Sequence, residues 1–153
     1  MDFEIKKCSY NDAIKANNLL TKLIVDEKKY DKNINEECVV KSLYENFFNE
    51  DDVALYVACL NNDIIGYIYG YVQNNGDAKK NIVTVLDALY VLDDFRKKGA
   101  ATKLIDTFIK WSMNKNARYI ELKVCDKNKE AIELYNKFDF MQKKIIMVKE
   151  IGE

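Results

Sequence analysis

With 153 residues, 48% hydrophobic and 32% charged side chains and a formal net charge of −1, the chain reads as one globular domain, residues 1–153; no global field draws it to nucleic acid or a membrane surface. It has no histidine, which removes Ser-His and Cys-His nucleophilic machinery and the common zinc sites and leaves proton transfer to carboxylate, tyrosine, cysteine, lysine or water. No apolar run reaches the roughly 20 residues of a membrane span, residues 1–4 do not read as a signal peptide, and Cys8, Cys38, Cys59 and Cys125 lack Cys-x-x-Cys spacing; a cytoplasmic protein with buried free thiols and no metal is expected.

Residues 3–8 alternate and predict a first strand. Ser9-x-x-Asp12 has the form of a capping box, and Ala13, Ala16, Leu20, Leu23 and Ile24 follow at helical spacing, so a first helix runs to about residues 26–29. After a polar loop to Asn35, the spacing of Val39, Val40, Leu43, Phe47 and Phe48 predicts a second helix ending before Asp51. Residues 53–60, 64–72 and 82–92 are β-rich runs with turn residues between them, which predicts an antiparallel meander. The rhythm then changes to helix 100–115, strand 118–125 and helix 128–137, an order that implies a right-handed crossover and a parallel pair. The expected class is therefore α/β with a mixed sheet. Residues 140–151 are β-rich and predict one long strand or two short ones with a tight bend.

Between the third β-run and the following helix, an apolar strand enters a basic turn, Arg96-Lys97-Lys98-Gly99, that opens directly into Ala100-Ala101. A helix start leaves its first N–H groups without internal partners and carries partial positive charge, so phosphate binds there readily. Gly99 lets the backbone approach a phosphate, and Arg96, Lys97 and Lys98 add charge. Val91 followed by Arg96-x-x-Gly99-x-Ala101 resembles motif A of the GNAT family of N-acetyltransferases, which move an acetyl group from acetyl-coenzyme A (acetyl-CoA) to an amine; Asp93 stands where that family often has proline. Asn128-x-x-Ala131, Leu134-Tyr135 and Asp139-Phe140 resemble its motif B, with Asp139 in place of glycine at a position that often takes a left-handed residue.

The resemblance implies the GNAT fold, acetyl-CoA as cosubstrate and an amine as acceptor. By it, the segment Arg96, Lys97, Lys98, Gly99, Ala100, Ala101 and Thr102 holds the pyrophosphate, while the strand edge at Leu89, Tyr90 and Val91 pairs with the pantetheine arm. An N–H near Val91 polarises the thioester carbonyl, Tyr135 serves as general acid to the leaving thiolate, and Asn128 bonds the arm, caps its helix, or both.

The acceptor must also lose a proton, because an alkylammonium with a pKa of about 10.4 is almost wholly charged at neutral pH, equivalent to roughly 4 to 5 kcal/mol of barrier. Asp87 is the candidate to help. Val85, Leu86, Ala88 and Leu89 around it are apolar, so the strand reads as buried on both faces, where a carboxylate is costly without a partner such as a substrate ammonium. Asp87-Ala88-Leu89-Tyr90-Val91 also resembles the corresponding strand of the polyamine and thialysine acetyltransferases. A purely structural Asp87, paired with a lysine or with backbone amides, and a purely structural Tyr135 in the core, are the alternatives.

Three functional readings result. The leading one is acetyl transfer to a small, polyamine-like amine; protein or peptide amines and aminoglycosides are alternative acceptors, and acidic residues such as Asp26, Glu27, Asp31, Glu36 and Glu37 are candidates to line an entrance for a cation. A non-catalytic CoA-binding sensor is a second class. A nucleotide-phosphate enzyme fits poorly, because no Lys-Ser/Thr follows Gly99 and no Rossmann glycine triplet occurs. Homodimerisation is expected by analogy with the family alone.

Overall fold

A computed structural model describes residues 1–153 as two compact units, Met1–Lys123 and Val124–Glu153. The first unit holds a five-stranded sheet in the order β1 (Glu4–Lys7), β2 (Val53–Leu60), β3 (Asp63–Val72), β4 (Val83–Val91), β5 (Tyr119–Leu122). The first three pairings are antiparallel and β4–β5 is parallel, so the mixed sheet and the change of rhythm read from the sequence are both present.

Two helices cover opposite faces. Helix α1 (Tyr10–Asp26) starts at the expected capping box, with the Ser9 hydroxyl accepting from Asp12 N–H and the Asp12 carboxylate accepting from Ser9 N–H, both at 3.1 Å. Its Ala13, Ala16 and Leu19 pack with Tyr44, Leu55, Val57, Tyr67, Ala88 and Tyr90 in one core layer. Helix α2 (Ala100–Asn114) lies on the other face, against β2, β3 and β4. There the Ser112 and Thr84 hydroxyls, both buried, bond each other at 2.7 Å and so satisfy two polar groups inside an apolar layer.

The second helix predicted over residues 39–48 is absent; only a single 3₁₀ turn, Tyr44–Asn46, forms there. Side chains compete for its backbone. Thr21 Oγ1 takes Val40 N–H, the Glu45 carboxylate takes Leu43 N–H, and Asn17 Oδ1 takes Tyr44 N–H. Tyr44 is thereby driven into the core while Val39 is left exposed, which breaks the helical spacing. Cys8 and Cys59 are buried as expected, but Cys38 and Cys125 are only half-buried because both lie in irregular segments.

In the second unit, α3 (Lys129–Asn136) forms with Asn128 as its N-cap. Asp139 takes the left-handed conformation anticipated for the motif's glycine position, φ 65°, and Phe140 N–H reaches back to Tyr135 C=O at 3.2 Å. Residues 141–153 carry no strand, contrary to expectation. A β-rich segment becomes a strand only against a ladder partner, and nothing else in Val124–Glu153 is a strand.

One close contact sets the spacing of the α2 layer. A Cβ on Gly70 would clash with the Phe108 ring and with Val85 C=O, so the missing side chain is what admits the Phe108 ring. Gly70→Ala is expected to cost about 1–3 kcal/mol or more by overpacking. Urea denaturation checks this; an unchanged midpoint would mean that the helix is not seated as described.

Candidate active site

The site is organised by an irregularity in β4. Tyr69 pairs with Ala88 and Gly70 with Leu86, so Asp87 is an extra residue, a β-bulge. The consequence is visible in the side chains: Thr84 bonds α2, whereas Ala88 and Tyr90, which share its parity, pack in the α1 layer. At the same place the parallel pairing with β5 ends, its last pair being Leu86–Leu122. From Ala88 to Val91 the β4 edge away from β3 has no strand alongside. Leu92 N–H bonds Ile65 C=O on β3 at 2.8 Å, so by strand alternation the N–H groups of Val91 and Leu89 point to that open edge.

The chain then passes a 3₁₀ turn, Asp93–Phe95, into the start of α2. Lys97 and Gly99 both have positive φ, 61° and 97°. Such alternation turns successive amides to one side, and glycine takes that conformation without strain. No Ser, Thr, Asp or Asn caps α2, and the N–H groups of Gly99, Ala100, Ala101 and Thr102 bond no group of the chain. A concave array of free amides at the positive end of a 15-residue helix suits a pyrophosphate. The basic side chains differ in their availability. Lys98 Nζ bonds Asp94 C=O at 3.0 Å, whereas Lys97 makes no such bond; both are exposed.

Arg96 is held within the chain. Its Nε donates to Val91 C=O at 2.7 Å, Nη1 pairs with Asp93 at 2.7 Å, Nη2 pairs with Asp26 at 3.3 Å, and its guanidinium lies over the Tyr90 ring, 5.1 Å from the centroid. The Tyr90 hydroxyl donates to the same Asp26 oxygen at 3.1 Å. Its pKa is pushed up to about 12, by burial and then by the Asp26 charge.

The expectation that Asp87 is enclosed on both faces is not met; the bulge and the end of the β5 pairing leave its side chain open to solvent. Desolvation by the surrounding protein nonetheless raises its carboxyl pKa, against an opposing pull from the Lys123 charge. Around it is an aromatic surface that the sequence analysis did not single out. Tyr44, Tyr67, Tyr69 and Tyr71 all feel the Asp87 charge. Tyr44 and Tyr67 are fully buried with hydroxyls 2.9 Å apart, and the Tyr44 and Tyr69 rings lie 5.1 Å apart. Burial holds both buried phenols neutral, far above their ordinary range, and pushes Tyr69 to about 12. The signal was present in the alternation Tyr67-x-Tyr69-x-Tyr71, which puts three rings on one face of β3.

Glu27, the C-cap of α1, is the second carboxylate here. It is half-buried, and its pKa is raised first by desolvation and then by the charges of Asp31 and Asp87. Two carboxylates whose proton affinity is raised by desolvation, beside the half-buried rings of Tyr69 and Tyr71, make a surface suited to an ammonium group. The other acidic candidates are otherwise engaged or lie elsewhere: Asp26 pairs with Arg96, and Glu36 with Lys28 at 3.1 Å.

In the second unit, Asn128 Oδ1 accepts from Ala131 N–H at 3.1 Å, so its capping role is realised. Tyr135 stands on α3 with its ring edge-on to Phe140, centroids 5.7 Å apart.

Comparison with known proteins agrees with this architecture. Residues 20–140 match the model of the acetyltransferase (GNAT) family. The N-alpha-acetyltransferase of Saccharolobus solfataricus is 31% identical over 103 residues, covering 63% of this chain and 62% of that protein. An uncharacterized N-acetyltransferase of Methanocaldococcus jannaschii is 29% identical over 106 residues, 66% of this chain and 47% of that protein. The chain thus spans less than two thirds of these relatives' length. Among solved structures, a mutant of the BH1408 protein from Bacillus halodurans superposes with a TM-score of 0.83 at 16% identity, covering 97% of this chain and 99% of that one. The aminoglycoside N-acetyltransferase AAC(6')-Iy, crystallised with CoA, gives a TM-score of 0.73 at 17% identity, covering 97% and 95%. These two likenesses are of fold.

Because desolvation by the surrounding protein raises the Asp87 pKa, the folded chain binds this proton more tightly than the unfolded chain between the ordinary value of 3.8 and the raised one, and Asp87 costs stability as pH rises through that window. Asp87→Asn is therefore expected to gain stability relative to the parent as pH rises from about 4 toward neutrality. Urea unfolding across that range measures the difference. A flat or falling difference would show that the carboxyl is not desolvated.

Proposed function

Since the chain belongs to the acetyltransferase (GNAT) family, we propose that residues 1–153 act as one acetyl-CoA-dependent N-acetyltransferase domain whose acceptor is a primary amine, a small polyamine-like cation before others. The observation that carries the reading is the pairing of an open β4 edge with an uncapped α2 start only a short turn away. One element offers amides for an amide-containing arm and the other offers amides for a pyrophosphate. Acetyl-CoA supplies the activated acetyl group.

In this reading the amides of Gly99, Ala100, Ala101 and Thr102 hold the pyrophosphate, with Lys97 adding charge. The β4 edge at Leu89, Tyr90 and Val91 aligns the pantetheine arm, and a hydrogen bond from Asn128 to the same arm is a role carried by the motif resemblance alone. Val91 N–H lies on the open edge and stabilises the negative charge that develops on the carbonyl oxygen. Asp87, with its raised proton affinity, receives the ammonium proton directly or through water, and the freed amine attacks. Tyr135 returns a proton to the departing sulfur, a role carried by the motif resemblance. The tyrosine face and the Asp87–Glu27 pair favour a cationic acceptor.

A second reading, the α-amine of a peptide, is favoured by the N-alpha-acetyltransferase names of the Saccharolobus and Sulfolobus relatives. Thiol release from acetyl-CoA with spermidine, short diamines, an aminoglycoside and N-terminal peptides separates the two. Turnover is expected with the polyamines and diamines, and turnover of peptides alone would transfer the assignment to the second reading. Tyr135→Phe should lower kcat on the accepted amine by about 10²-fold. Unchanged turnover at every pH would remove the general-acid role.

A further inference from the structure

We propose that Arg96 is a positioning residue, a clamp joining the end of β4 to the end of α1, rather than a ligand of the cosubstrate's phosphates. Its catalytic consequence rests on the acetyltransferase reading above, but the clamp itself rests on geometry alone.

Each guanidinium nitrogen is already committed within the chain: Nε to Val91 C=O, Nη1 to Asp93 and Nη2 to Asp26, with the plane laid on Tyr90. Arg96's own N–H is also used, on Asp93 C=O at 3.3 Å. Three of its five N–H groups are used in this way, and turning the side chain toward a phosphate would give up these contacts and the aromatic face. The contacts it makes have a common result. The peptide between Val91 and Leu92 is bonded at both ends, its C=O to Arg96 and its N–H to Ile65 C=O, which fixes the plane next to the Val91 N–H.

The other end of the clamp explains an anomaly in α1. Asp26 is the last residue of that helix, at the negative end of its dipole, and the last turn has no basic residue. By local rules an aspartate is unfavourable there. Arg96 and the Tyr90 hydroxyl, both from the β4 side, supply the missing positive charge and a hydrogen bond to one Asp26 oxygen. The next residue is Glu27, which shares the acceptor surface with Asp87. The clamp therefore ties the peptide that faces the thioester to the helix end that faces the amine, through a contact between Arg96 and Asp26, 70 residues apart along the chain.

The test uses the full chain and the variants Arg96→Lys, Asp26→Asn and the double variant, with thermal unfolding to confirm that each is folded. Amide hydrogen exchange reads the clamp directly. Both single variants should speed exchange of Leu92 N–H by about tenfold, and the double variant should add little beyond either, as for residues of one network. Acetyl-CoA affinity, by calorimetry, should move less than about threefold, while kcat on the accepted amine falls about tenfold. The proposal is overturned if Asp26→Asn leaves Leu92 exchange at the parent rate. It is equally overturned if Arg96→Lys weakens acetyl-CoA binding tenfold or more with Leu92 exchange unmoved, the signature of a phosphate ligand. Failure of the acetyltransferase reading would look different, as a parent protein that does not bind acetyl-CoA, and the exchange arm still decides whether the clamp exists.

Discussion

The pairing of β4 with β3 slips by one residue at Asp87, and the pairing of β4 with β5 stops one residue earlier. Both sides of β4 thus change at one point. A strand in the middle of a sheet normally has all its amides committed to its neighbours. Here the last turn of the strand, Ala88–Val91, keeps its β3 ladder for rigidity while its other edge is open. The bulge also resets the parity of the side chains, so that Ala88 and Tyr90 pack in the α1 layer although Thr84, of the same parity, bonds α2.

Charge follows from this framework rather than creating it. The chain as a whole is near neutral, yet it gathers positive potential at the start of α2 and negative potential at the end of α1. Arg96 stands between the two and pairs with Asp26, while the Asp87 charge acts on Glu27 and is itself opposed by Lys123. Desolvated carboxylates are costly in the free protein. On the function proposed above, a cationic acceptor would offset that cost on binding.

The sequence disclosed the fold where local signals and tertiary demands agree. The capping box at Ser9, the three β-runs, the glycine turn before α2 and the Asn128 cap all appear where their residue patterns put them. It misled over residues 39–48, where helical spacing lost to side chains of α1 that bond the backbone from outside the segment. Residues 141–153 lacked a ladder partner that composition cannot supply. In the site, the glycine turn into an uncapped helix start was readable because helix starts have fixed chemistry. The bulge was not, since a bulge is a mismatch between two strands and no single strand's sequence records it. The same holds for Arg96: its basic character beside a glycine turn read as a phosphate contact, and only the position of Asp26, far away in the chain, reveals its partners.

The central claim is that the open β4 edge and the uncapped start of α2 hold one ligand together. Amide hydrogen exchange of the intact chain, with and without acetyl-CoA, addresses it most directly. Leu89 and Val91, whose N–H groups face the open edge, should exchange freely in the empty protein and become protected on binding, together with Gly99, Ala100, Ala101 and Thr102. Protection at the α2 start with none at Leu89 and Val91 would contradict the account, because the ligand would then be held by its phosphates alone.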